Sequence, residues 1–168
     1  MRAESKKTLS VFRKMTMKEI YDAVKKLPEY QIEIGVISIH SKRKEKVRIG
    51  LTNAELMFIH ENGSPLRHIP ARPVLQMTLD YANRELLQPT IAKCIDAFLD
   101  SGLNESAIER ELKKLCIRME NYAREIIYSN DGRLAPNAPS VAAKKKGNHP
   151  LFDTGQLARS ITCQLVKI

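Results

Sequence analysis

Apolar positions along the chain recur with two periods, and the changes between them divide it into elements. Met17, Ile20, Tyr21, Val24 and Leu27 share one helical face, with Thr16 and Glu19 at capping-box spacing before it and Pro28 after it. This pattern predicts an amphipathic helix over 17–27. Ile32, Ile34 and Val36 then alternate with Gln31, Glu33 and Gly35, the period of a half-buried strand, with a shift of phase at Ile37 and Ile39 and a bulge candidate at Gly35. The polar run 40–48 leads into the apolar stretch 47–51, which predicts a hairpin with a long basic tip. Thr52 and Glu55 repeat the capping-box spacing, and Leu56 and Ile59 mark a short helix that stops at Asn62-Gly63.

Pro65, Pro70 and Pro73 remove three amide donors from the next ten residues, so this segment reads as a rigid ordered loop, with Pro73 suited to the first turn of a helix. Leu75, Leu79, Ala82, Leu86 and Leu87 continue that helix until Pro89, and Ile91, Cys94, Ile95, Phe98 and Leu99 resume the pattern. Two helices or one kinked helix are expected there. Ile108, Leu112, Leu115, Met119, Tyr122 and Ile126 form the most sustained helical spacing in the chain, which Gly132 ends. Residues 133–150 hold Pro136, Pro139, Pro150 and three consecutive lysines with few apolar anchors, and read as a long basic excursion that gains order on docking. A turn or short helix over 151–157 and a strand carrying Ile161, Cys163 and Leu165 complete the pattern. The order predicts an α+β fold in which a small, mostly antiparallel sheet packs against two or three longer helices, with extended loops. A basic arm over 1–15 precedes a single domain over 16–168, and no internal repeat is visible.

Composition narrows the function. The 168 residues are 43% hydrophobic, enough for one core, yet no apolar run approaches the roughly 20 residues of a membrane helix. The opening MRAESKKTLS lacks the apolar centre of a signal peptide, so a soluble product made in the cytoplasm is expected. Cys94, Cys116 and Cys163 are widely spaced and odd in number, which argues against a disulfide framework and a zinc site. Trp is absent, leaving little material for base-stacking platforms. The net charge of +9 is uneven: residues 1–50 hold 13 Lys/Arg against 6 Asp/Glu, 51–132 hold 9 against 12, and 133–168 hold 6 against 1. Basic ends favour a polyanion or an acidic protein surface.

Candidate catalytic motifs fail on context. Asp153-Thr154-Gly155 matches the triplet of aspartic proteases, but only 13 residues follow it, too few for the strands that enclose such a site. A capping or turn role for Asp153 and Thr154 before a short helix fits better. His40, His60, His68 and His149 lack ligand spacing, no phosphate-binding glycine loop occurs, and no nucleophile elbow supports a Ser-His-Asp reading. The expectation is therefore no enzyme, no cofactor and no metal. Two basic runs, Lys42, Arg43, Lys44, Lys46 and Arg48 in one and Lys144, Lys145 and Lys146 in the other, are the candidate subunit or partner interface.

His60-Glu61-Asn62-Gly63 at the end of a short helix, followed by Ile69-Pro70-Ala71-Arg72-Pro73 opening a long one, resembles the neck and tail-completion proteins of long-tailed bacteriophages, also described as virion morphogenesis proteins or tail components. A second segment, Pro150-Leu151-Phe152-Asp153-Thr154-Gly155-Gln156-Leu157-Ala158-Arg159-Ser160-Ile161, is similar to the C-terminal signature of that family. The resemblance covers residues 16–168, leaves the basic arm outside, and makes Ile69 to Pro73 with Asp153, Thr154, Gly155, Leu157 and Ser160 structural motif residues. It implies a virion subunit at the head-tail junction, made in the host cytoplasm. Such a subunit forms a homo-oligomeric ring, commonly a hexamer, against the head connector or stopper and the tail terminator or tail tube, with DNA passing through the lumen and no membrane involved. The competing reading is a basic nucleic-acid-binding protein that uses Lys144 to Lys146 and the N-terminal arm.

Overall fold

The structure, a computed structural model, describes residues 15–37, 50–144 and 148–168. Its fold is α+β. In chain order the elements are α1 (Met17–Lys25), β1 (Tyr30–Val36), α2 (Asn53–Asn62), a 3-10 turn (Pro65–Arg67), α3 (Val74–Tyr81), a π-helical turn (Ala82–Leu86), α4 (Leu87–Asp100), α5 (Glu105–Ser129), α6 (Pro139–Ala142), α7 (Gln156–Ser160) and β2 (Ile161–Lys167).

Local chemistry explains the boundaries. Thr16 and Thr52 each accept a backbone bond from the Glu three residues on, whose carboxylate accepts the threonine amide in return, so both expected capping boxes form. Those bonds hold the Glu19 and Glu55 carboxyls below their ordinary pKa. Pro89 does not break the helical path. The π-helical turn over Ala82–Leu86 contains Glu85, the residue four positions before Pro89, and a wider turn relieves the clash a proline ring makes with that carbonyl. At the start of α5, Asn104 Oδ1 accepts from the Ser106 amide at 3.0 Å.

The sheet contains β1 and β2 as antiparallel neighbours, so the first strand pairs with the last. Of the expected hairpin, the tip and residues 47–49 lie outside the described residues, and Gly50 and Leu51 belong to no strand. The alternating pattern identified β1 correctly but carried no information about its neighbour.

The chain divides into two compact units, each assembled from separate stretches of sequence: Met1–Glu33, Asn83–Cys116 and Gln164–Ile168 in the first, Ile34–Ala82 and Ile117–Cys163 in the second. In the first unit Leu86, Phe98, Leu99, Ala107, Leu115 and Cys116 are buried. Tyr30 donates its hydroxyl to Glu105 Oε1 at 2.9 Å, and Lys167 donates to the same carboxylate. Both donors hold the Glu105 carboxyl below its ordinary pKa, Lys167 most strongly. In the second unit Met57, Val74, Ala123, Ile126, Ile127, Leu134, Leu157, Ala158 and Ile161 form one continuous core.

Residues 133–150 are more built-in than their composition suggests. Leu134 and Pro150 are buried, and Arg133 is tied to Asp131 Oδ2 at 2.6 Å and to the Tyr122 hydroxyl at 3.2 Å. Two buried residues suffice to anchor both ends of the excursion.

Candidate functional site

The second unit holds a cleft of about 570 Å³ where both motif segments meet. Its lining includes Ile69, Pro70 and Arg72 from the first segment and Leu151 with Asp153 to Leu157 from the second. These stretches lie about 80 residues apart in sequence.

Three devices shape the first segment. Gly63 has φ 72° and ψ −178°, a conformation nearly closed to residues with a Cβ, and a Cβ there would stand 2.8 Å from the Ala71 nitrogen and 2.9 Å from the Ile69 oxygen. The chain can fold back against itself only with glycine here. Ser64 and Ile69 then exchange backbone bonds of 2.8 and 3.0 Å around the Pro65–Arg67 turn. Pro73 occupies the N-cap of α3 with no side-chain acceptor to offer, and Glu61 supplies one from α2: its carboxylate accepts the Leu75 amide at 3.0 Å and the Gln76 amide at 2.8 Å.

Arg72 is the centre of the arrangement. It is 5% exposed, its amide donates to the His60 carbonyl at 2.6 Å, and its guanidinium donates through Nε to the Ala135 carbonyl and through Nη2 to the Pro136 carbonyl, each at 2.7 Å. Its Nη1 stands 3.4 Å from His60 Nδ1. A guanidinium only donates, so in this contact any hydrogen bond runs from Arg72 to the ring nitrogen. Burial lowers the pKa of Arg72 from its ordinary value. One side chain thereby fixes the end of α2, the start of α3 and the entry to the 133–150 stretch.

The second segment reaches the cleft by a different route. Gly155, with φ 73°, is the N-cap of α7, and neither Asp153 nor Thr154 caps that helix with its side chain. The capping half of the expected capping or turn role is corrected, while the turn half agrees with the bend at 153–155: the left-handed glycine takes the N-cap, Arg159 Nη2 donates to the Thr154 carbonyl at 2.8 Å, and the exposed Asp153 and Thr154 line the cleft. Leu157 is buried in the core, and Ser160 donates its hydroxyl to the Leu157 carbonyl at 2.7 Å.

Of the other expected site residues, Pro73 and Ala71 shape the path of the chain without lining the cleft. Lys144 is exposed three residues beyond Val141, a cleft-lining residue. Lys42, Arg43, Lys44, Lys46, Arg48, Lys145 and Lys146 lie outside the described residues. Sequence reasoning missed the reach of His60 and Glu61 to residues 12 and 14 positions onward. Their adjacency to Gly63 and a proline-rich turn was the available signal.

The cleft mixes an apolar surface from Leu56, Ile69, Val141, Leu151 and Leu157 with polar groups from Arg67, His68, Asn137, Ser140, Asp153 and Gln156. Among the described residues no group of three His, Cys, Asp or Glu side chains is placed to hold a metal ion. A second surface lies in the first unit: Met17, Ile20, Val24 and Leu27 on one side and Ile91, Cys94, Ile95 and Phe98 on the other line an apolar groove of about 410 Å³. Burial raises the Cys94 thiol above its ordinary pKa, which disfavours the reactive thiolate. Among the described residues no helix is long and apolar enough to cross a membrane.

Compared with protein-family models, with curated proteins and with solved structures, the chain matches none of them.

Proposed function

We propose that this chain is a structural subunit of the head-tail junction of a long-tailed bacteriophage, a neck or tail-completion protein that assembles into a ring around the DNA channel. The observation that supports this reading best is the convergence of the two resembling segments: Ile69, Pro70 and Arg72 from the first and Asp153 to Leu157 from the second line one cleft, and the buried Arg72 ties the first to the carbonyls of Ala135 and Pro136. A motif that only records ancestry of a local turn has no need of a distant partner, whereas two motifs that build one surface describe a shared docking element.

The physical role follows from that surface. In a ring each heterologous contact repeats around the axis, so modest interfaces add into a stable collar. A rigid cleft presents the same face to every neighbour. The basic runs at 42–48 and 144–146 are suited by their charge to acidic protein surfaces of the connector or the tail.

Electron microscopy of a phage lysate in which this gene is silenced tests the reading. Abundant full heads beside unattached tails is the expected result, with tail length separating completion from attachment. Normal joined particles would overturn it and move the nucleic-acid-binding reading to the front.

A further inference from the structure

The cleft and the turn that forms one of its walls complement each other. Leu66 stands on the Pro65–Arg67 turn with 96% of its surface exposed, more than any other large apolar side chain among the described residues. The turn beneath it is braced: Ser64 and Ile69 exchange two backbone bonds, and His68, left-handed with φ 52°, donates its amide to the Pro65 carbonyl at 3.1 Å. A leucine held out on a braced turn gives up little backbone freedom when something covers it. Arg67, His68 and Ile69 beside it line the cleft, whose apolar surface continues through Leu56, Leu151 and Leu157.

Charge says what kind of surface fits there. Arg72 spends its guanidinium on the Ala135 and Pro136 carbonyls, which leaves Arg67 and Asp153 as the exposed permanent charges of the lining. Among the described residues neither of them forms an ion pair, although both line one cleft. One cation and one carboxylate balance, so the cleft selects neither an acidic nor a basic ligand. It suits a surface that offers one carboxylate, one cation and an apolar anchor together, and the chain itself carries that set in Asp153, Arg67 and Leu66.

We propose that the cleft receives a second copy of this chain, paired about a two-fold axis, with Leu66 of each copy on the apolar surface of the other and Arg67 of each against Asp153 of the other. The pairing is reciprocal because the tip is a wall of its own cleft. A copy that enters the cleft lies against the tip it receives in return, which makes the contact isologous and closes it at two chains. The contacts of a ring are heterologous, so this inference goes beyond the junction reading and concerns the free subunit.

Sedimentation equilibrium of the full chain between about 5 and 500 μM tests it, and the parent passes from monomer to dimer across that range. Each substitution acts twice, once at each contact. Leu66→Ser therefore weakens the dimer about a hundredfold, and Arg67→Glu or Asp153→Arg, which set like charges together, about tenfold. All three positions are exposed, so circular dichroism stays unchanged. The most discriminating sample is a mixture: Arg67→Glu and Asp153→Arg chains, each poorly paired alone, form a mixed dimer in which every facing charge is opposite, and the double variant pairs with itself like the parent. A parent that stays monomeric, a mixture that pairs no better than its components, or variants that all dimerise like the parent would each overturn the inference. Ile95→Lys, which charges the apolar groove of the first unit, keeps the dimer; a dimer lost in that variant would place the contact in the groove and overturn the inference as well. Gene silencing reads the junction separately. Detached heads and tails beside a monomeric subunit leave the junction reading standing and remove this one, and normal particles beside a cleft dimer do the reverse.

Discussion

The two units use their polar side chains in opposite ways. In the second, long polar side chains are turned inward to backbone groups: Arg72 to two carbonyls, Glu61 to two amides, and Glu120 to the Cys163 amide at 2.8 Å. In the first, the polar contacts that join distant stretches of chain are made by side chains to one another, as Glu105 does with Tyr30 and Lys167, while an apolar groove stays open on the helices. The cause is the path of the backbone. Between α2 and α3, and between α5 and α7, the chain of the second unit runs irregularly and leaves amides and carbonyls that need partners. In the first unit α4 and its share of α5 satisfy their own backbones, which frees their surfaces to be apolar. An irregular path fixed by side chains makes a specific surface, and regular helices make a general one.

The largest expected effect breaks the irregular path at its tightest point. Gly63→Ala forces a Cβ into backbone atoms at 2.8 and 2.9 Å and into a left-handed conformation, so urea denaturation should show a loss of about 3 kcal/mol. The same change at Gly102, which has φ 74° and open space around it, carries strain without a clash and should cost about 1 kcal/mol. Next comes the side chain that fastens the path. Arg72→Met keeps most of the apolar stem but leaves the Ala135 and Pro136 carbonyls without donors, a loss of about 2 to 3 kcal/mol by the same measurement. Arg72→Lys supplies a point charge where a planar fork spanned two carbonyls, and should recover about half. Full recovery by lysine would show that charge, not bidentate geometry, holds the site.

These residues also mark how far the sequence could be read. The regular elements were legible because their signals are local: both capping boxes, the 4-3-4 spacing of α5 and the alternation of β1 each need only a short window. The pairing of β1 with β2 was not, because an alternating strand specifies its faces and not its neighbour. The site was half legible. Ile69 to Pro73 and Asp153 to Leu157 stood out as motifs, but that Arg72 would reach Ala135 and Pro136, 63 and 64 residues onward, is set by tertiary packing alone. Asp153 and Thr154 invited a capping role because their residue types are good caps, yet Gly155 in the left-handed region took the N-cap.

Acid should separate the surface ion pair of the second unit from its inward contacts. Arg133 holds the Asp131 carboxyl down to about 2, from an ordinary value of 3.8. A carboxyl depressed by folding contributes stability that is fully present above its unfolded value and is lost as pH falls through its folded value. The contribution therefore fades between about pH 4 and pH 2. Asp131→Asn should flatten the fall of stability across that window and leave the curve near neutrality parallel to the parent, as followed by thermal unfolding at each pH. An unchanged slope below pH 4 would mean that the pair is screened out by solvent. Arg72 gives no such signal, because a guanidinium in contact with carbonyls does not titrate there.

The smallest stability effect belongs to the open groove, and its smallness is informative. Ile95 is 55% exposed beside Ile91 and Val24. Ile95→Lys stays in a helix-compatible residue type, buries no charge and leaves the lysine stem lying along the apolar surface, so it should change stability by no more than about 0.5 kcal/mol. The same substitution places a charge in the middle of an apolar surface, and it should lower the fluorescence of a bound apolar dye and reduce self-association at high concentration. A loss of several kcal/mol would show instead that Ile95 is packed in the free protein. That result would erase the contrast between the units, since the first would then be sealed as tightly as the second. Near-neutral stability with weaker dye binding keeps the contrast: a surface that folding does not require is one that stays free for contact, whereas the Arg72 cluster serves folding before it serves any partner.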